Sequence, residues 1–302
     1  MNRIINIHAD DYGLGKEISN NIIECINYGI VNSISIICNT KYFVDSMKII
    51  KKSTNGVRTS LHINLVEGSP LTDSSKVNMI INKDKEFRYS FITIWLKYIL
   101  STRNTRTKLR EQIKTEIKNQ IKRYCDYYAG SKPLRLDSHM HLHMIPFIFD
   151  IFIELSEDYN IKFIRIPYEL KYFNSRKLIN FISPNVIKNC LLNYLSKYNS
   201  SKMEKHKIYR NDYFIGVLAS GNMDAEDVRL ALSKINKYAR PKSVEILFHP
   251  GGVAHKKSVD WTNNNMFRAY YSSDYRQKEK NILKGVELRK IVKQYETIFS
   301  NQ

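Results

Sequence analysis

The sequence predicts an α/β protein built as a TIM-like (β/α) barrel of about seven parallel strands with helical insertions. Short apolar runs alternate with helical patterns along 302 residues, and polar side chains collect where the apolar runs end. Such alternation forms a parallel sheet, either closed as a barrel or open and doubly wound. The carboxyl ends of barrel strands converge on one face, where active sites are built, so the polar residues favour the barrel.

The first three predicted strands alternate with two helices. Residues 3–8 form an apolar strand that leads into the motif ADDYG. A helix follows, because Ile18, Ile22 and Ile26 recur at helical spacing and Gly29 stands where a helix would end. Further strands are predicted at residues 33–38 and 57–65, with a helix at 44–50 between them.

Two insertions interrupt the alternation, at about residues 72–131 and 170–211. In the first, the apolar segment 91–100 is predicted to be helical, and the basic stretch 103–110 leads into a long amphipathic helix ending near residue 128. The second is rich in Lys and Arg and nearly free of acids.

The remaining strands are predicted at residues 134–137, 162–166, 213–218 and 243–248. Helices are expected after Pro146, from Asp224 or Ala225, and from about Tyr275 to the end of the chain. No repeat or low-complexity linker divides the sequence. We therefore expect a single domain over residues 1–302.

Composition and cysteine usage narrow the class of protein. Hydrophobic content of 43% and charged content of 25% are ordinary for a globular protein. No apolar run has the length of a membrane span, and the N-terminus lacks the form of a signal peptide. The four cysteines are scattered without a CxxC motif, which predicts free thiols and a cytoplasmic location.

The charge balance is strongly basic. Lys and Arg number 48 against 29 Asp and Glu, a formal net charge of +19. Such a charge suggests nucleic acid, anionic lipid or an acidic substrate as a partner. The chain is rich in Lys, Asn, Ile and Tyr throughout, so the charge also fits a general compositional bias. Since no nucleic-acid-binding motif accompanies it, we do not expect a nucleic-acid partner.

The motif DSHMHLH at residues 137–143 places three of the chain's eight histidines within five residues, behind an aspartate. In an extended strand alternate side chains share a face, so Asp137, His139, His141 and His143 would point the same way. Four such side chains suit metal or proton chemistry. The alternative is a polar loop whose histidines bond to the backbone.

Other strand ends supply the remaining parts of a hydrolytic metal site, in which one carboxylate and two imidazoles leave positions open for water and substrate. The carboxylate is available at Asp10 or Asp11 and one imidazole at His62. Of two adjacent aspartates, one can bind metal while the other acts as general base, and His249 suits a general acid. Taken on its own, the Asp pair also fits a turn or a helix cap. Taken on its own, His62 also fits a core histidine whose hydrogen bonds are satisfied.

Five motifs together resemble the YdjC-like carbohydrate deacetylases, which include chitooligosaccharide deacetylases. They occur in the family's order between residue 4 and about residue 290, and they are ADDYG (9–13), LHINLVEG (61–68), DSHMHLH (137–143), RIPYE (165–169) and EILFHPG (245–251). One departure is His8, where the family usually has Asn before the first motif. We expect this substitution to preserve activity, because an imidazole also donates a hydrogen bond.

The resemblance implies a TIM-like barrel that removes an N-acetyl group from an amino sugar with Mg²⁺ or Zn²⁺. The metal ligands it implies are Asp11, His62 and His139. The catalytic residues it implies are the general base Asp10, the general acid His249, and Arg165, which would lie beside Asp10 and keep it ionised. His141 and His143 would then orient the site or face the substrate.

The predicted partner is an N-acetylated sugar. The apolar segments 91–100 and 178–195 have basic neighbours, so they also suit contact with an anionic membrane, a lid over the barrel, or a homodimer interface. Two other functions stay open: another metal-dependent hydrolase such as a phosphoesterase, and a catalytically silent carbohydrate-binding barrel.

Overall fold

A parallel sheet of seven strands organises the fold in the computed structural model, which describes residues 4–53, 56–129, 133–175, 177, 183–252 and 269–301. The strands are β1 (Ile5–Tyr12), β2 (Ser33–Ile36), β3 (Arg58–Ile63), β4 (Leu134–Ser138), β5 (Ile161–Ile164), β6 (Tyr213–Ile215) and β7 (Val244–Phe248). Their order is β5-β4-β3-β2-β1-β7-β6. All eight residues of β1, which lies between β2 and β7, are buried, as expected of a parallel strand covered on both faces.

The prediction of a closed barrel is wrong in one respect: the sheet curls into an open half-barrel, with β5 and β6 as its two edges. The free edge of β5 is occupied instead by Tyr209, whose carbonyl accepts from Ile164 N at 3.0 Å. Beyond the strand, the Asn211 side chain bonds both backbone groups of Ile166, at 2.9 and 2.7 Å. At this edge of the sheet, which we call the open seam, an amide side chain thus makes the hydrogen bonds that a neighbouring strand would make. The sequence alone does not show this contact.

Helices cover the faces of the sheet. They are α1 (Lys16–Tyr28), α2 (Phe43–Ser53), α3 (Phe91–Leu100), α4 (Arg103–Tyr124), α5 (Pro146–Asp158), α6 (Pro184–Lys205), α7 (Ala225–Tyr238), α8 (Asp274–Lys284) and α9 (Val286–Ser300). The start of α7 is fixed by a capping box, in which Asp224 accepts from Asp227 N at 2.9 Å and Asp227 accepts from Asp224 N at 3.1 Å. The single C-terminal helix predicted from Tyr275 is instead two helices, because Gly285 adopts an extended conformation between them.

The two insertions are mainly helical. The first contains α3 and α4, and the second contains α6 together with residues 176 and 178–182, which lie outside the described ranges. Helix α4 also buries polar side chains: Gln120 Nε2 donates to Asn64 O at 2.7 Å, next to the end of β3. None of the helices in the described ranges combines the length and the hydropathy that a bilayer span needs.

Candidate metal and catalytic site

The site lies where the carboxyl ends of β1, β3, β4 and β7 meet. Within β1, Asp11 adopts the left-handed conformation with φ of 72°, which is uncommon for a residue other than glycine. The following Gly13 has φ of 88°, and a Cβ there would lie 2.6 Å from Ile37 O. This tight turn directs the two adjacent aspartates into different surroundings, as backbone strain often does at functional sites.

A cavity of about 210 Å³ opens above these strand ends. Its wall includes Asp10, His62, His139, Lys188 and His249. The structure therefore brings side chains from five distant parts of the sequence around one small volume.

Three side chains form a candidate metal site. Asp11, His62 and His139 each offer one ligand atom, and these atoms lie within 4.8 Å of one another. All three residues are buried. Asp11 Oδ1 accepts no hydrogen bond from the described part of the chain. A buried oxygen without a donor is costly unless it binds a cation, so these residues fit a divalent ion.

Carboxylates orient both imidazoles. His62 Nδ1 lies 2.5 Å from Asp137 Oδ1, which leaves Nε2 directed toward the site. His139 Nε2 bonds Glu67 Oε1 at 2.9 Å, while its Nδ1 lies 3.4 Å from Asp11 Oδ1. A carboxylate on the far nitrogen fixes the ring and increases its basicity, the usual arrangement of a metal-binding histidine.

The electrostatics of this group already suit a cation. Burial would raise the pKa of Asp11, but His139 and Arg276 outweigh it and hold that pKa well below its ordinary value. Burial would lower the pKa of His139, but the neighbouring carboxylates of Asp11 and Glu67 prevail and raise it to about 10. Without metal, His139 therefore carries a proton at neutral pH, and metal binding must displace that proton.

Asp10 lies beside this group and is paired with Arg165. The guanidinium donates to both carboxylate oxygens, with Nη1–Oδ2 at 2.8 Å and Nη2–Oδ1 at 2.9 Å. Burial would raise the pKa of Asp10, but Arg165 above all holds it well below the ordinary value. Asp10 is therefore ionised and held in one orientation, as a general base must be.

His8, which stands where the family usually has Asn, contacts Asp10. Its Nδ1 bonds Ser33 Oγ and its Nε2 bonds Ser35 Oγ, both at 2.8 Å, and Nε2 lies 3.2 Å from Asp10 Oδ1. The buried imidazole thus links Asp10 to two serines of β2, which agrees with a role in positioning Asp10.

A second group of potential ligands, His8, Asp10 and Asp137, has a different character. Arg165 is bonded to Asp10 and lies 3.1 Å from Asp137 Oδ2. A guanidinium already contacts both carboxylates, so a second divalent ion beside it would meet a buried positive charge.

His249 follows β7 and lines the same cavity as His62 and His139. Its backbone N–H donates to Glu279 Oε2 at 2.5 Å, and its ring meets the Tyr270 ring edge-on at 5.8 Å. Burial lowers the pKa of the imidazole to about 4, against the opposing effect of Asp11 and Asp10. In the free protein the ring is therefore neutral at pH 7.

The prediction that the histidines of residues 137–143 share one face is wrong. Strand β4 ends at Ser138, and the next six residues form a 3-10 turn in which Met140 and His141 have left-handed φ values of 55° and 57°. His139 consequently faces Asp11, while His143 is buried and bonds Ser138 Oγ and Arg165 O. His141 lines the cavity and packs edge-on against Phe214.

The sequence did not single out several residues that complete the site. Glu67 lies within the motif LHINLVEG, and Tyr271 OH donates to it at 2.9 Å. Arg276 Nη1 donates to Asp11 Oδ2 at 3.2 Å, across 265 residues. Glu67 could have been predicted, because it is a carboxylate just beyond the end of a strand. Arg276 could not, because it belongs to an ordinary amphipathic helix.

Comparison with known proteins shows the family to which the chain belongs. Residues 4–294 match the family described as YdjC-like protein. A carbohydrate deacetylase of Clostridium beijerinckii is 26% identical over 252 residues, covering 83% of this chain and 82% of that relative. One of Thermoanaerobacter pseudethanolicus is 27% identical over 220 residues, covering 70% and 83% respectively. A chitooligosaccharide deacetylase of Escherichia fergusonii is 28% identical over 161 residues, covering 53% and 58%.

The fold also has a relative of known structure, an Enterococcus faecalis protein described as a putative cellobiose-phosphate cleavage protein. The TM-score is 0.68 with 17% sequence identity, over 98% of this chain and 96% of the other. This likeness concerns the fold alone.

Proposed function

This chain belongs to the YdjC-like protein family, whose curated relatives are carbohydrate deacetylases, and we propose that it hydrolyses the N-acetyl group of an amino sugar with a divalent metal. The observation that carries the proposal is the placement of Asp11, His62 and His139 beside the Asp10–Arg165 pair, at a cavity that His249 also lines. A ligand group, a base and an acid around one cavity are the parts that amide hydrolysis requires.

The reaction splits the acetamide with water into acetate and a free amine. A divalent ion such as Mg²⁺ or Zn²⁺ held by Asp11, His62 and His139 would supply Lewis-acid polarisation of the acetyl carbonyl and a lower pKa for water. Asp10, kept ionised by Arg165, takes the proton of the attacking water. Gly216, Leu247 and Tyr271 line the cavity beside these groups and limit the water that surrounds the acetyl group.

His249 gives a proton to the departing nitrogen. Because the imidazole is neutral in the free protein at pH 7, it takes up a proton from solvent during the reaction, and Asp10 later returns the proton of the attacking water to solvent. The negative charge that develops on the acetyl oxygen favours the imidazolium form, in addition to Asp10 and Asp11. His249 then releases the proton to the nitrogen as the C–N bond breaks.

Acetate release from N-acetylglucosamine oligomers tests the proposal, with metal content measured on the same samples. We expect Asp10→Asn and His249→Ala to lose acetate release while retaining metal, and His62→Ala to lose both. Full activity in a metal-free sample, or in Asp10→Asn, would exclude this mechanism. The exposed histidine variant His206→Ala is the matched control, since its side chain lies at the surface.

The other candidate functions have less support. A phosphoesterase usually employs a second metal, and the second group of ligands here is already bonded to Arg165. A silent carbohydrate-binding barrel would not need an ionised aspartate beside a metal group. Three other expectations stay predictions: Mg²⁺ or Zn²⁺ as the metal, a homodimer, and a cytoplasmic location.

A further inference from the structure

Helix α3 presents an apolar face to solvent. Ile92, Leu96, Ile99 and Leu100 are 50%, 45%, 46% and 80% exposed. Their spacing of i, i+4, i+7 and i+8 places them on one side of the helix. Ile94 is buried instead, so the helix is anchored on its other side. Exposed apolar side chains gathered on one face usually mark an interaction surface.

Helix α6 has a similar face. Ile187, Tyr194 and Tyr198 are 75%, 68% and 51% exposed. They are separated by seven and four residues, so they form a stripe along one side of the helix. The two insertions predicted from the sequence thus each contribute a helix with an exposed apolar stripe.

Both helices pack against the 3-10 turn His139–Met144. This turn supplies His139 to the metal group, and its Met140 is 37% exposed and lines the cavity. Lys188 of α6 also lines the cavity. The apolar stripes therefore belong to the structural units that surround the entrance of the site. We call α3, α6 and Met140 together the α3–α6 rim.

The charge around α3 indicates what the rim contacts. Residues 88–110 contain six Lys or Arg and no Asp or Glu. Arg106 and Arg110 are bonded within the fold, to Ile99 O and to Glu154. Lys97, Arg103 and Lys108 are exposed and form no ion pair with the described residues. Exposed cations interleaved with exposed apolar side chains suit an anionic bilayer surface, where the cations meet headgroups and the apolar groups meet acyl chains.

We propose that the α3–α6 rim docks on anionic membranes and brings the cavity to an amino sugar attached to a lipid. A second copy of the chain fits less well, because the same unpaired cations would then face one another. The docking stands on the rim alone, whereas the lipid-linked substrate rests on the proposed deacetylase function.

Vesicle flotation tests the docking, with vesicles of phosphatidylcholine alone or mixed with phosphatidylglycerol. We expect the full chain to float with the anionic vesicles at low salt, and less at high salt because screening weakens the headgroup contacts. Neutral vesicles should bind it weakly. Absence of lipid-dependent flotation at low salt would overturn the proposal.

Variants of the rim separate its two components. Leu96→Ser with Leu100→Ser removes apolar area, and Lys97→Gln with Arg103→Gln and Lys108→Gln removes charge. Each set should weaken vesicle binding by about tenfold or more. These side chains are exposed, so the variants should fold. The matched control is Tyr238→Ser on α7, a ring 62% exposed with Lys234 and Lys237 above it. Equal binding by the rim variants and the wild type would contradict the proposal.

Acetate release then separates docking from function. Rim variants should release acetate from soluble N-acetylglucosamine oligomers at the wild-type rate, but release less from a synthetic N-acetylglucosaminyl lipid in anionic vesicles. Flotation without acetate release from either substrate would exclude the deacetylase and retain the docking. Light scattering tests the alternative that a second copy of the chain occupies the rim. A dimer that dissociates in Leu96→Ser, together with no flotation, would overturn membrane docking.

Discussion

Arg165 and Asp10 form a two-point contact in the interior of the protein, with Nη1–Oδ2 at 2.8 Å and Nη2–Oδ1 at 2.9 Å. The same guanidinium donates through Nε to Glu245 at 2.5 Å and lies 3.1 Å from Asp137. Arg165 is fully buried, so one cation contacts three buried carboxylates. Its fork geometry fixes the orientation of Asp10 as well as its charge, which an ammonium group cannot do.

Replacing Arg165 should therefore separate charge from geometry. Arg165→Met leaves three carboxylates without the cation that they contact. We therefore expect the free energy of unfolding to fall by about 3–5 kcal/mol. Arg165→Lys keeps the charge and should lose less stability, but kcat should fall because Asp10 is no longer held at two points. Denaturant unfolding and acetate-release kinetics measure the two effects. A wild-type kcat in Arg165→Lys would show that the two-point contact is unimportant.

Asp137 should influence metal affinity without touching the metal. It accepts from His62 Nδ1 at 2.5 Å, so Asp137→Asn weakens the orientation and basicity of His62. Loss of such a partner typically costs about 10–100-fold in metal affinity. We expect weaker Zn²⁺ binding in calorimetry, and recovery of part of the acetate release at excess metal. Unchanged affinity would argue against His62 as a ligand.

The strand ends were predictable from sequence because an apolar run followed by polar residues is a local pattern. Helix α3 was predicted at its observed bounds for the same reason. The histidine motif was not, since alternation fits a strand and a turn equally well until Met140 and His141 show left-handed φ values. Arg276 is 265 residues from Asp11, and the open seam depends on Asn211 bonding Ile166. Contacts of this kind have no local pattern.

Glu169 should make stability depend on pH near neutrality. Its carboxylate accepts from the backbone N–H groups of Gly216, Val217 and Leu218 at 2.8–3.0 Å. Burial nevertheless raises its pKa from 4.5 to about 7. Between these values the folded protein binds more protons than the unfolded chain, so the Glu169 contribution to stability is lost as pH rises toward 7.

Glu169→Gln isolates this contribution because glutamine does not titrate. Its amide nitrogen would face at least one backbone donor, so we expect the variant to be less stable by about 1–3 kcal/mol at pH 5. The stability gap between wild type and variant should narrow from about pH 5 to pH 8, since only the wild type loses stability with deprotonation. Urea unfolding across this range measures the gap. A constant gap would show that Glu169 has an ordinary pKa.

Gly251 provides the space in which Arg276 reaches Asp11. A Cβ on Gly251 would lie 2.3 Å from Arg276 Nη2 and 3.0 Å from Cζ. The Gly251 φ lies outside the left-handed region, so alanine would displace the Arg276 guanidinium without straining the backbone. Arg276 Nη1 donates to Asp11 Oδ2 at 3.2 Å, so a displaced guanidinium would leave that oxygen without its donor.

We therefore expect Gly251→Ala to have a changed metal affinity and a slower release of acetate. The residue itself touches neither metal nor substrate in the proposed mechanism. The shorter side chain in Arg276→Lys should relieve the collision. The double variant should then lose less activity than the sum of the two single variants, in a double-mutant cycle on acetate release and metal affinity. Additive losses would mean that Gly251 acts on the site by some route other than Arg276. Non-additive losses would identify the glycine as the residue that lets a distant helix hold Asp11, the aspartate of the proposed metal group.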